Sequence, residues 1–182
     1  PDRNLSRVEF AVIMARYLEL SESEEAGLPF ADLEAIPSWG LKAVQAVYQA
    51  GIMQGSSANG KLYFNTKASI TRSEAITVIG RSLAKGYPVT APSFSDSAKI
   101  PGWAKDHVNT LVSLGIVGGY SDGSIAPQKN ITRAEIAKIL FGIESPSGRL
   151  SVSIPRSSGQ IPAFYNYKPK DRKAGKGYSY LD

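Results

Sequence analysis

The stretch Ile131-Thr132-Arg133-Ala134-Glu135-Ile136-Ala137-Lys138-Ile139 starts a helix by its own chemistry. Thr132 followed by Glu135 forms a capping box. The threonine hydroxyl accepts from the Glu135 backbone N–H, and the Glu135 carboxylate accepts from the Thr132 N–H. Ile136, Ile139 and Leu140 then recur at helical spacing. Arg133 falls at the first helical position, beside backbone N–H groups that have no partner inside the helix and at the positive end of the helix dipole. That combination favours an anion. The same device recurs as Thr71-Arg72-Ser73-Glu74 after Ile70 and as Ser6-Arg7-Val8-Glu9 after Leu5. One capping box marks a helix start and nothing more; three, each with arginine in first position, mark an internal repeat.

The front halves repeat as well. Phe94 and Asp96 follow Phe30 and Asp32 by 64 residues, and Ile100-Pro101, Trp103 and Gly115-Ile116 keep that offset from Ile36-Pro37, Trp39 and Gly51-Ile52. The offset falls to 61 at Thr132 against Thr71, so the connecting loop is three residues longer in the earlier copy. Exposed turns tolerate such insertions. Asn59-Gly60 signals a tight turn in that loop, and Asp122-Gly123 takes its place in the later copy. Leu62 to Phe64 reads as a short strand or extended arm. Pro37 suits a helix start and Gly51 a helix end.

Each full repeat therefore reads as helix, turn-containing loop, capped helix. The first copy is a back half only: Pro1 precedes Leu5 as Pro127 precedes Ile131, and the chain enters mid-repeat. Its helix, with Phe10, Ile13, Met14 and Tyr17 on the buried face, is expected to dock against the neighbouring repeat, a second chain, or a segment outside this sequence. The expected organisation is residues 1–28 as the back half of repeat one, 29–86 as repeat two, 93–144 as repeat three, and 145–182 as an extended basic tail. In the tail, Leu150, Val152 and Ile154 alternate with serines as in one half-buried strand. The polar, aperiodic remainder lacks the apolar content for a core.

Composition narrows the function. Cysteine is absent, which excludes thiol catalysis, disulfides and cysteine zinc sites. The formal charge is +5, and residues 149–182 hold seven basic side chains against two acidic ones, so the tail carries the whole surplus. A neutral body argues against nucleic-acid binding, which needs a basic face. No stretch is long and apolar enough to span a membrane. A leader peptide is not visible, but the start at Pro1 points to processing or excision, so that absence says little about export. Gly118-Gly119 lacks the lysine and hydroxyl of a phosphate loop. The lone His107 has no second histidine to share a metal, so no metal or cofactor is expected.

The series Phe94-Ser95-Asp96, Trp103-Ala104, Gly115-Ile116-Val117-Gly118-Gly119-Tyr120-Ser121-Asp122-Gly123, Pro127 and Ile131-Thr132-Arg133-Ala134-Glu135 resembles the repeat of the S-layer homology (SLH) family in order and spacing. The resemblance covers about residues 1–143 and excludes the tail. It is weaker in the first copy, where Leu5-Ser6-Arg7-Val8-Glu9 replaces the usual wording. It implies an all-α, pseudo-threefold bundle of SLH repeats with a non-helical C-terminal tail. It implies too that the chain is an extracellular module holding a protein on a bacterial surface. The partner would be secondary cell wall polysaccharide bearing pyruvate ketals on N-acetylmannosamine, with the sugar in grooves between repeats and the arginine after each capping residue on the ketal carboxylate.

The residues support a carboxylate ligand independently, because arginine holds one bidentately. The candidate contacts are Arg133, Arg72 and Arg7 for the acid group, Trp103 and Trp39 for a sugar face, and Tyr120, Ser121, Asp122, Gly123 and Asp96 for hydroxyls. Plainer roles stand beside these. Trp39 and Trp103 each open an apolar stripe and are read first as core anchors. Asp32 and Asp96 serve equally as turn residues. Any one arginine could be a helix-start residue in a structural ion pair, and His107 reads as a boundary residue. In the second copy Gln54-Gly55-Ser56 stands where Gly118-Gly119-Tyr120 falls, so that groove is expected to bind weakly or not at all. The competing function is a structural module whose truncated repeat is completed by another protomer. An enzyme would need two free carboxylates across a cleft, and Glu74 and Glu135 are already claimed by the caps.

Overall fold

The computed structural model describes residues 2–20, 27–83, 90 and 93–144. The stretch 145–182, with the strand expected over Leu150–Ile154, lies outside them. Helices α1 (Arg7–Tyr17), α3 (Arg72–Ser82) and α5 (Arg133–Glu144) are the three capped helices, and α2 (Ser38–Gln49) and α4 (Gly102–Ser113) open the two fuller copies. A short hairpin, β1 (Ser56–Ala58) with β2 (Lys61–Tyr63), occupies the longer loop of the second copy. Its turn is Asn59-Gly60, both with positive φ (50° and 71°), the geometry that fits the twist of a two-residue hairpin.

The copies meet where their capped helices begin. The Leu5 N–H donates to the Ile131 carbonyl (3.2 Å), the Ile131 N–H to Ile70 (3.0 Å), and the Ile70 N–H back to Leu5 (3.0 Å). This is a closed three-way ring of backbone bonds. A second ring surrounds it. The N–H groups of Arg7, Arg72 and Arg133 donate to the carbonyls of Ala68, Lys129 and Arg3, each two residues before the next copy's ring member (2.9, 2.8 and 3.2 Å). Leu5, Ile70 and Ile131 are fully buried at this hub. Segments separated by about 60 residues in sequence are thus paired by main chain alone, and the buried aliphatic side chains add about 1.5–3 kcal/mol each.

Away from the hub, α1 packs on α2 and α3 on α4, each capped helix against the opening helix of the following copy. The buried stripe of α2 runs Gly40, Val44, Val47, and that of α4 runs Ala104, Val108, Leu111. These are steps of four and three, the helical period. Trp39 and Trp103 precede the first member of each stripe and are turned about 100° away from it. They are 61% and 55% exposed, which overturns their expected place in the core. On α1, Phe10 and Met14 are fully buried as expected, while Ile13 and Tyr17 are only partly so and Ala11 and Ala15 complete the face.

The Phe-x-Asp signature has a structural explanation. The rings of Phe30 and Phe94 lie over Gly55 and Gly119, where an added Cβ would come within 2.7 and 2.8 Å of a ring carbon. Two residues on, Asp32 accepts from the backbone N–H groups of Phe64 and Asn65 (2.8 Å each), and Asp96 from Ile125 and Ala126 (2.8 and 2.9 Å). Asn65 and Ala126 both carry positive φ, so each carboxylate holds an unfavourable bend at the far end of the loop.

The α3–α4 contact closes over Gly80, where a Cβ would lie 2.6 Å from Nδ1 and 2.9 Å from Cβ of His107. Half-burial in this contact holds the His107 imidazole below its ordinary pKa, and nearby Arg81 adds to the effect. Gly80→Ala is expected to lower unfolding free energy by about 1–3 kcal/mol through overpacking. Gly142→Ala, whose nearest neighbour stands at 3.7 Å, should instead stabilise α5 by up to about 1 kcal/mol. Denaturant unfolding of the two variants should therefore shift in opposite directions.

Candidate functional site

The capping boxes are all formed. Ser6 with Glu9 and Thr71 with Glu74 exchange both bonds, and Thr132 pairs with Glu135 in the same way (2.8 Å from the Thr132 N–H to Oε2, 3.2 Å from the Glu135 N–H to Oγ1). In each box one carboxylate oxygen, Oε2, serves the cap, which leaves Oε1 open to a further partner. The arginines at the first helical positions are the natural partners. Arg7 Nη1 reaches Glu74 Oε1 at 2.8 Å, and Arg7 Nε donates to the Phe64 carbonyl at 2.7 Å. Arg72 Nη2 donates to the Gly118 carbonyl at 2.8 Å, while its Nη1 stands 3.7 Å from Glu135 Oε1. The pattern is cyclic: the arginine of one copy turns to the loop and the cap of the next.

The third step departs from it. Arg133 would turn to Glu9, but Arg3 holds that carboxylate through both guanidinium ends. Arg133 is exposed, and among the described residues it has no ion-pair partner. Arg7 and Arg72 are buried.

The expectation of free backbone N–H groups at the helix starts is corrected here. The first-position N–H groups of all three helices are bonded within the hub, and the Ser73 N–H donates to the Pro127 carbonyl at 2.9 Å. The first-position amides are therefore not free for an anion, and a ligand at these helix starts meets the arginine side chains instead. Asp96 is corrected too. Both of its oxygens are engaged by the loop backbone, so it is a loop anchor like Asp32 rather than a free acceptor. Ser121, Asp122 and Gly123 form an exposed turn in which Asp122 accepts from the Ser124 N–H at 2.9 Å; the Ser124 side chain first, and this backbone bond second, hold the Asp122 carboxyl below its ordinary range.

Tyr120 is half-buried between two cations. Its ring lies 5.0 Å from the Arg72 guanidinium and 4.5 Å from Lys129 Nζ, and its hydroxyl donates to Glu135 Oε1 in a short bond. Burial would raise the Glu135 carboxyl, but the Tyr120 hydroxyl, the Thr132 cap and Lys129 outweigh it and leave its pKa lowered. Burial and the same bond to Glu135 raise the Tyr120 phenol.

Two participants are absent from the residues singled out in the sequence: Arg3 and Lys129. They occupy one position, two residues before Leu5 and Ile131, and each lies against the cap glutamate of its own copy, Lys129 at 3.9 Å. Lining up the three copies would have exposed them, but Ala68 fills the slot in the second copy and hides the pattern. Among the described residues no helix could cross a membrane and no cluster of acidic or histidine side chains could hold a metal ion.

The profile of the S-layer homology domain matches residues 29–76 and 93–137. The chain is 32% identical over 155 residues to an amylopullulanase of Thermoanaerobacterium thermosulfurigenes, 32% over 152 residues to an S-layer protein of Bacillus thuringiensis subsp. finitimus, and 33% over 146 residues to a cellulosome-anchoring protein of Acetivibrio thermocellus. These matches take in 82%, 81% and 77% of this chain but only 8%, 18% and 32% of the relatives.

The Glu135 cap carboxylate sets an acid limit on stability. Glu135 has a folded pKa below its ordinary 4.5. Its contribution is therefore present in full above that value and is lost as pH falls through the folded one. Glu135→Gln should melt lower than the unmodified chain at pH 7, and the gap should close as pH drops from about 5 toward 3, followed by thermal unfolding.

Proposed function

Because this chain belongs to the S-layer homology domain family, we propose that it is a non-catalytic anchor that binds an anionic, pyruvylated secondary cell wall polysaccharide. Its place is the cell surface or cell wall, and surface anchoring is its role. The amylopullulanase it resembles is matched over 8% of its length, which fits a module separable from any catalytic unit. In this reading the three copies act as a pseudo-threefold, mainly helical bundle, and the glycan lies against its outer grooves.

The observation that carries the acid-group part is Arg133. It is a first-position arginine with its guanidinium in solvent, while the carboxylate it would otherwise meet is held by Arg3. A ketal carboxylate suits such a fork, and a charged hydrogen bond of this kind contributes about 1.5–3 kcal/mol. The exposed indoles of Trp39 and Trp103, at matching places on α2 and α4, supply flat apolar surfaces for a sugar ring.

Purified wall polysaccharide should bind in sedimentation assays and lose binding when pyruvate is removed by mild acid. Equal binding before and after removal would defeat the carboxylate reading. Arg133→Ala should weaken binding by about 1.5–3 kcal/mol.

A second reading, an assembly module completed by another protomer, draws on α5. Unlike α1 and α3, it has no comparable helix packed on it among the described residues. Where those helices carry Ala15 and Gly80, it carries Phe141, 72% exposed. This reading predicts a concentration-dependent dimer in analytical ultracentrifugation that Phe141→Glu abolishes. A monomer at all concentrations would remove it.

A further inference from the structure

Asn59-Gly60 carries chemistry beyond turning a hairpin. Six asparagines occur in the chain, and Asn59 alone is followed by glycine. An asparagine side-chain amide is open to attack by the main-chain nitrogen of the next residue. A Cβ on that residue obstructs the approach, and glycine has none. The attack is intramolecular, so it depends on whether that nitrogen is free to reach the asparagine Cγ.

The fold answers this differently at each described asparagine. The nitrogens after Asn4 and Asn130 belong to Leu5 and Ile131, and both donate within the hub ring (3.2 and 3.0 Å). Asn109 lies inside α4, where the helix fixes its backbone. Asn65 is tied by its own bonds: its N–H donates to Asp32 and its Nδ2 to the Ser56 hydroxyl (2.8 and 2.6 Å), and Thr66 beside it is buried. Asn59 is held by none of these. It and Gly60 are exposed, and neither the Asn59 side chain nor the Gly60 N–H has a hydrogen-bond partner among the described residues. A Cβ placed on Gly60 would meet nothing within 4 Å. The hairpin pairs only three residues a side, and a two-stranded hairpin is marginal in water by itself. Its tip therefore opens in local fluctuations, while Asp32 keeps Phe64 and Asn65 anchored below it.

We propose that Asn59 is a self-modification site, where the exposed turn converts its own amide to a carboxylate. The Gly60 nitrogen bonds to Asn59 Cγ and gives up its proton. The Cγ–Nδ2 bond breaks, and Nδ2 leaves as ammonia with that proton. Water then opens the cyclic imide. Opening at the Cγ carbonyl gives aspartate, and opening at the main-chain carbonyl gives isoaspartate. Water enters, ammonia leaves, and nothing is oxidised or reduced.

The products differ in what they do to the loop. Aspartate keeps the main chain, and Asp-Gly suits the same two-residue turn. The hairpin then persists with a negative charge added to the second copy, which gains the pair the third copy carries as Asp122-Gly123. Isoaspartate routes the main chain through the side chain and adds a methylene, which breaks the pairing of Ala58 with Lys61 across the turn. Neither outcome depends on a glycan.

The test is to age the purified chain in mildly alkaline buffer, followed by isoelectric focusing and by mass spectrometry of the tryptic peptide 43–61. An acidic species lower by a single charge should accumulate. The peptide should resolve into asparagine, aspartate and isoaspartate forms, both products carrying label from heavy-oxygen water. Asn4, Asn65, Asn109 and Asn130 should keep their amides over the same period. Asn59→Gln should remove that acidic species. Asn59→Asp should retain the hydrogen-exchange protection of β1 and β2, which the isoaspartate form loses. An Asn59 that stays intact in the folded chain while a guanidinium-unfolded sample loses it overturns the assignment. So does an acidic species that forms undiminished in Asn59→Gln.

Discussion

The closed ring of backbone hydrogen bonds through Leu5, Ile70 and Ile131 is the constraint on which the rest of this molecule depends. Each of the three residues donates to one neighbouring copy and accepts from the other, so no one copy can satisfy its own hub. Three segments must arrive together, from positions about 60 residues apart, before any of these buried amide groups is paired. An unpaired one costs about as much as a lost hydrogen bond plus its desolvation. The ring also orients the helices. Each capped helix leaves the hub one residue after its capping Ser or Thr, so the arginine at its first position is delivered to the boundary with the next copy.

That delivery explains the competition at every boundary. An arginine placed there meets the cap glutamate of the following copy, because the capping box turns one carboxylate oxygen outward. Whether the arginine is a structural ion pair or a free cation then depends on what else claims that oxygen. At Glu74 nothing else among the described residues does, and Arg7 closes on it. At Glu135 a phenol and an ammonium compete, and Arg72 stands back. At Glu9 a second arginine wins outright, and Arg133 is left in solvent. One motif yields three electrostatic outcomes through side chains outside the motif.

This is also where the sequence was readable and where it was not. The capping boxes, the helix starts and the 64-residue offset were legible because they rest on local chemistry: a hydroxyl and a carboxylate three residues apart, a proline before a helix, a glycine after one. The turn at Asn59-Gly60 was legible for the same reason. The ring was not, since backbone pairing between distant segments leaves no mark on side-chain identity beyond the aliphatic character of Leu5, Ile70 and Ile131. The first-position amide groups that looked free for an anion are bonded in the second ring around it. The tryptophans were misjudged by one position of helical phase. The buried stripe starts at Gly40 and Ala104, whose small size in a close helix contact reads as nothing in particular without the partner in view. The two loop aspartates were placed correctly before their helices, but their function is to pin backbone N–H groups about 30 residues downstream.

Repeated architecture does not by itself produce repeated sites. The hub tolerates only one solution, so its residues stay nearly the same in all three copies. The boundary slots are held by no such closure. At the position two before the hub residue, arginine, alanine and lysine all occur, and each preserves the ring, since it is the main-chain carbonyl at that position that the ring uses. A side chain there can vary while the ring keeps its bonds, yet it stands beside the carboxylate that the neighbouring arginine meets. The electrostatic state of each boundary arginine can therefore differ from copy to copy while the ring of main-chain bonds is kept. The opposite arrangement, with ligand contacts built from hub residues, would tie every change in recognition to a loss of main-chain pairing.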